Sequence, residues 1–89
     1  MNLKRHKSFI RDMSKVKLSD SQFAKFIFYL GLLGNGQELP KEAKNHKLNG
    51  EWKDFSELHL GGDMLIIYLK NNDNSIILIR IGTHSQLFG

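Results

Sequence analysis

The run Ile76-Ile77-Leu78-Ile79-Arg80-Ile81 constrains this chain more than any other stretch. It is aliphatic at every position but one, rich in β-branched isoleucine, and bounded by Asn71-Asn72-Asp73-Asn74 before it and Gly82 after it, so it reads as a buried strand. The exception is Arg80. A guanidinium does not shed its proton and is costly to bury alone, so it must meet an anion, either an internal carboxylate or a phosphate brought by a ligand. His84 follows four residues later, past a glycine, where a strand ends and loops carry chemistry. An imidazole close to a fixed cation suits acid catalysis on a phosphate ester.

The rest of the pattern gives the strand its surroundings. Leu3 marks a short first strand. Phe9, Ile10, Met13 and Val16 fall at helical spacing and predict a helix over Lys7 to Val16, while His6 reads as exposed and inert. Ser19 or Asp20 caps a second helix to about Leu33, with Phe23, Phe26, Ile27, Leu30 and Leu33 on one stripe read as core. The connection Lys17-Leu18 makes the two helices antiparallel. Gly34 to Lys47 reads as a long loop with a helical turn at Lys41 to Asn45, and His46 lies in it.

Glu51 to Leu60 alternates as a half-buried strand, Gly61-Gly62 turns the chain, and Met64 to Leu69 is the next strand before the Arg80 strand. The expected fold is α+β: two N-terminal antiparallel helices packed on a twisted, mainly antiparallel sheet of three to four strands, forming a single domain over residues 1–89. If Asn71 to Asn74 joins its strands symmetrically, Leu65 lies opposite Arg80. A tight turn at Gly61-Gly62 would set His59 opposite Met64, under the helices. An odd-length connection, Gly61-Gly62-Asp63 with a bulge, sets it opposite Leu65 on the Arg80 side, and this is the register expected.

Composition sets the outer bounds. The balance of 13 Lys+Arg against 9 Asp+Glu, with a pI near 9.5, favours anionic partners, and seven of the 13 cations lie before residue 26. The 40% hydrophobic content is that of a globular protein, and no apolar run reaches the length of a membrane span. The lack of cysteine removes disulfides and thiolate metal sites and fits a cytoplasmic protein.

The string Asn45-His46-Lys47-Leu48-Asn49-Gly50-Glu51-Trp52-Lys53-Asp54-Phe55-Ser56-Glu57-Leu58-His59, then Asp63 and Leu65-Ile66-Ile67-Tyr68, then Arg80-Ile81-Gly82-Thr83-His84-Ser85-Gln86-Leu87-Phe88-Gly89, resembles the YafQ branch of the RelE-like toxins. The specific part covers residues 45 to 89. Met64 departs from the tryptophan common in that branch, Ser56 from an arginine, and Gly61-Gly62 from a charged residue and proline. The resemblance implies a ribosome-dependent mRNA endonuclease that works without metal or other cofactor. It places His46, His59, Asp63, Arg80, His84 and Phe88 at active-site positions, with Lys53, Met64 and Phe88 toward the substrate. It also implies two partners, mRNA in the ribosomal A site and an acidic antitoxin of the DinJ or RelB kind, the latter in a hetero-oligomer.

Cleavage without metal needs a base at the 2′-hydroxyl, a cation at the phosphorane and an acid at the leaving 5′-oxygen. Arg80 suits the second task and His84 the third. His59 or Asp63 is the base, His46 positions or shares the proton, and Phe88 stacks on a base. Against these stand plainer roles: Asp63 as mere counter-ion to Arg80, and Phe88 and Trp52 as core. Two other classes of function compete. One is a zinc enzyme using the three histidines and Asp63, disfavoured because His59 and Asp63 flank a glycine turn beside a cationic strand. The other is a non-catalytic RNA- or antitoxin-binding relative acting in transcriptional autoregulation.

Overall fold

A computed structural model describes all residues, 1–89. Five strands form one sheet in the order β1-β5-β4-β3-β2. They are β1 (Asn2–Arg5), β2 (His46–Lys47), β3 (Phe55–Gly61), β4 (Met64–Lys70) and β5 (Ser75–Thr83), interleaved with helices α1 (Lys7–Met13), α2 (Asp20–Gly34) and α3 (His84–Phe88). Strands β2 to β5 form an antiparallel meander, and β1 adds in parallel at β5. The expected α+β class holds, with five strands in place of three or four. The extra one is β2, a two-residue strand inside the stretch read as a loop, and β3 begins only at Phe55 because Gly50–Trp52 forms a 3₁₀ turn.

One face of the sheet carries the main core. Leu58, Leu60, Ile66, Tyr68, Ile76, Leu78 and Ile81 meet Phe9 of α1 and Tyr29 and Leu33 of α2. The other face carries a smaller cluster of Leu65, Ile67 and Leu87, lined by Trp52, Phe55, Ile79 and Phe88. Two faces of unequal depth are what near-continuous apolar strands such as Met64–Leu69 require, since both sides must be covered. The ammonium of Met1 donates to the Gly34 carbonyl at 2.7 Å, placing a positive charge on the C-terminal end of α2.

α2 departs from expectation. Its sheet-facing side is Phe26, Tyr29, Leu30 and Leu33, whereas Phe23, Ile27 and Phe28 are 55%, 56% and 57% exposed. The helix is apolar nearly all round, so periodicity alone does not single out the buried side. α1 stops at Met13, and a six-residue link, Ser14 to Ser19, replaces the short connection expected.

The registers place the site. His59 pairs with Leu65 as expected, but the slip of one comes from a bulge at Leu60 inside β3, and the connection is a two-residue turn, Gly62-Asp63, instead of the odd-length Gly61-Gly62-Asp63 expected. The positive φ values of Gly61 (106°) and Gly62 (58°) are what make it possible without a Cβ clash. Arg80 lies opposite Ile67, and Leu65 opposite Gly82, which corrects the expected Leu65–Arg80 pair. Two irregularities cause this. Lys70 pairs with Ile76 rather than Ser75, and a bulge follows Leu78. Each shifts the register by one, so the face survives and Arg80 stays on the side of Leu65, Glu57 and His59.

Candidate active site

The site begins where β1 ends. β1 covers β5 only as far as Leu78, leaving the backbone of residues 79 to 81 as an open edge. α1 closes that edge with side chains: Ser8 Oγ donates to the Ile79 carbonyl at 2.5 Å, and the Ile81 N–H donates to Asp12 Oδ2 at 3.1 Å. Phe9, between them, enters the main core at 1% exposure and fixes the helix in place.

Asp12 is the anion that Arg80 requires. Arg80 Nε donates to Asp12 Oδ2 at 2.6 Å and Nη2 to Oδ1 at 3.2 Å. Asp63, weighed above as the counter-ion, is exposed in the turn and forms no ion pair. Burial pushes the Asp12 carboxyl up, but the Arg80 hydrogen bond, the Ile81 N–H and the charges of Arg80 and Arg11 outweigh it and hold its pKa below the usual carboxylate value. Its charge therefore stabilises the fold above its unfolded pKa of about 4, and that contribution is lost as pH falls toward the lower folded value. Acid unfolding followed by circular dichroism is expected to begin at higher pH in the parent than in an Asp12→Leu, Arg80→Met double variant, which has no such pair to lose.

On the same face, the row His46, Glu57, Ile67, Arg80 runs across four strands, and His59 stands next to Glu57 in the row beyond. Glu57 is 6% exposed, and its Oε1 lies 3.0 Å from His59 Nε2 and 3.6 Å from His46 Nε2. The Tyr68 hydroxyl donates to Asn45 Oδ1 at 2.5 Å, anchoring the chain just before His46. His46 Nδ1 donates to the Lys44 carbonyl at 2.6 Å, which turns Nε2 toward Glu57. One buried carboxylate thus orients two imidazoles whose rings lie 6.1 Å apart.

His84 opens α3, where Thr83 and Gln86 form a capping box and the His84 N–H donates to the Asp63 carbonyl at 3.2 Å. Gly82 leaves room behind it: a Cβ there would sit 3.1 Å from the Leu87 and Gln86 side chains, which would have to shift to admit it. The His84 ring lies 5.0 Å from Phe88, which meets Trp52 edge-on at 5.6 Å. His46, Glu57, His84, Trp52 and Phe88 line one open pocket of about 300 Å³. An acidic, basic and aromatic set of this kind can move protons beside a stacked base.

The structure therefore brings His46, His84 and Phe88 around one pocket with Glu57 and Trp52, and holds His59 against Glu57 and beside His46, outside that pocket's lining. Arg80 shares their face but lines a neighbouring pocket with Lys15 and Gln86. Lys53 is exposed outside the histidine pocket, beside Lys47 and Lys70. Met64, expected toward the substrate, is 8% exposed and packed in the main core beneath the helices, because it alternates along β4 with Leu65, which faces the opposite side. Glu57 was missed although it stands two residues from His59 on one strand, a spacing that puts both on one face. The ligand atoms that converge are those of His46, Glu57 and His59, within 4.8 Å of one another, and not those of Asp63. Two imidazole nitrogens and a carboxylate oxygen suit a zinc or copper ion.

Comparison with known proteins agrees with this geometry. The profile of the family described as "Bacterial toxin of type II toxin-antitoxin system, YafQ" matches residues 1–89. The mRNA interferase toxin YafQ of Escherichia coli K12 is 37% identical over 86 residues, 97% of this chain and 78% of that protein. A copper-bound mutant toxin from Helicobacter pylori superposes with a TM-score of 0.81 at 34% identity, over 98% of each chain. The E. coli DinJ–YafQ complex does so at 0.81 and 28% identity, over 99% of this chain and 98% of that one. With the whole length matched by the family and the fold shared with its solved members, this chain belongs to the YafQ family of type II toxin–antitoxin toxins.

Proposed function

We propose that this toxin is an endoribonuclease that cuts mRNA in the ribosomal A site by attack of a 2′-hydroxyl on the adjacent phosphate. The observation that carries this is the buried Glu57 carboxylate shared by His59 and His46, facing His84 and Phe88 across one pocket. His59, oriented by Glu57, takes the 2′-hydroxyl proton, and His46 shares it. The O2′ attacks phosphorus, Arg80 stabilises the added charge, and His84 protonates the departing O5′. The products are a 2′,3′-cyclic phosphate and a 5′-hydroxyl. Phe88 and Trp52 hold a base by stacking. Asp63, exposed beside His84, seats the acid through its carbonyl.

The partner is an acidic antitoxin, as the DinJ complex of a relative suggests, held in a cytoplasmic hetero-oligomer whose affinity falls with salt. No helix is long and apolar enough to cross a membrane. Expression of the chain alone is expected to stop growth by mRNA cleavage, with relief by His84→Ala or Arg80→Ala and by co-expression of the antitoxin. Equal toxicity of both variants would sink the mechanism.

A second role for the same cluster is favoured by the metal-bound relatives from H. pylori: His46, Glu57 and His59 can hold a copper or zinc ion. Bound there, it would occupy the nitrogens that carry protons. Cleavage is therefore expected to survive chelation of the isolated toxin and to fall when zinc is added.

A further inference from the structure

Asp12 takes no part in the proton transfers, yet both of its oxygens are engaged: Oδ1 by Arg80 Nη2, and Oδ2 by Arg80 Nε and the Ile81 N–H. Of the five N–H donors of a guanidinium, two are used by this side-on grip and three remain, two of them side by side on the end-on edge between Nη1 and Nη2. That edge has somewhere to go. The Arg80 side chain is 31% exposed and lines a pocket of about 250 Å³ with Lys15 and Gln86. Lys15 forms no ion pair, so its ammonium is free for a ligand. Gln86 accepts the Thr83 N–H through Oε1 at 2.8 Å, which leaves its NH₂ without a partner in the fold. Apart from its apolar wall, the pocket offers donors and cations, and its single carboxylate is already spent on Arg80 and the backbone.

We propose that this pocket seats a backbone phosphate of the RNA and that Asp12 is the positioning residue that turns the free edge of Arg80 into it. The inference rests on the role given to Arg80 above and extends it to Asp12 and Lys15. Arg80 would otherwise be a long side chain on the stretch of β5 that β1 leaves uncovered, with many rotamers open to it. Asp12 removes that freedom before the ligand arrives, and α1, pinned through Phe9 and Ser8, makes the grip rigid. Bidentate geometry is what a guanidinium has over an ammonium, and it is lost if the fork rotates.

Charge alone argues the opposite sign, which makes the proposal testable. Replacing Asp12 by asparagine removes a negative charge from the pocket wall, so simple electrostatics expects tighter phosphate binding and faster cleavage. Positioning expects kcat on translating ribosomes to drop about tenfold with KM changed less than twofold, and no further loss when Asp12→Asn is added to Arg80→Gln. Faster cleavage by Asp12→Asn, or losses that multiply in the double variant, would overturn the positioning role while leaving Arg80 in place. Arg80→Gln cleaving at the parent rate would instead overturn the assignment of Arg80 and the inference with it. A second measurement needs no variant that must fold. Titrating the isotope-labelled parent with inorganic phosphate at low salt, followed by nitrogen-detected NMR, should shift the Arg80 Nη and Lys15 Nζ signals with one common Kd. Arg80 Nε, tied to Asp12, should hardly move. Shifts confined to the histidines would refute the phosphate seat.

Discussion

Replacing Glu57 by glutamine is expected to lower the rate of mRNA cleavage by about 10²- to 10⁴-fold, the range that one general acid–base element supplies. The substitution keeps the volume of a side chain that is 6% exposed, so packing around it is preserved. What it removes is the charge. The carboxylate faces both imidazoles at once, its Oε1 3.0 Å from His59 Nε2, within hydrogen-bond reach of that N–H, and 3.6 Å from His46 Nε2, a longer electrostatic contact. A carboxamide offers one acceptor and an NH₂ that repels the N–H of whichever ring it faces. The base would then sit in the wrong orientation, and an imidazolium formed during reaction would lack its counter-charge. Single-turnover cleavage on stalled ribosomes measures this, with thermal melting as the control. A glutamine variant that keeps more than a tenth of the parent rate would show that Glu57 is a structural carboxylate only.

Replacing Phe9 by alanine is expected to cost about 3–5 kcal/mol, the usual penalty for deleting a fully buried aromatic ring. In a domain this small that lowers Tm by at least about 12 °C. Phe9 is 1% exposed and belongs to the main core, and it is the apolar anchor of a seven-residue helix that could not persist alone. The effect reaches the site. Without Phe9, α1 lifts from β5, the carbonyl of Ile79 and the N–H of Ile81 lose Ser8 and Asp12, and Arg80 loses its carboxylate. The amides of residues 79 to 81 should then exchange hydrogen faster than those of β4, a local signature that a general loss of stability would not give.

β4, β5 and the second half of β3 could be read from the chain with their faces because β-branched runs and turn residues there agree, whereas β2 is two residues long and leaves no pattern. The glycines at 61 and 62 implied a bulge in the turn, and the bulge, which falls at Leu60 instead, decides that His59 faces the Arg80 side. The outer face of α2 could not be read, since Phe23, Ile27 and Phe28 are as apolar as the residues beneath them. The partner of Arg80 was hidden for a different reason. Asp12 lies 68 residues away, on a helix whose sequence looks like an ordinary amphipathic segment, and only the way α1 closes the β5 edge brings the two together. Glu57 was masked by its own strand, where a polar residue in an alternating pattern looks like a solvated one. Met64 was placed toward the substrate by resemblance, whereas its register with Gly61 and Thr83 puts it in the core.

The most direct test is the chemistry of the cut ends. If His59, Glu57 and His84 run a 2′-hydroxyl attack, mRNA cleaved on translating ribosomes by the purified parent should carry 2′,3′-cyclic phosphate and 5′-hydroxyl ends in the A-site codon. No cut should appear with His84→Ala. Fragments ending in 3′-hydroxyl and 5′-phosphate would mean that water, not the ribose, is the nucleophile, and would contradict the mechanism.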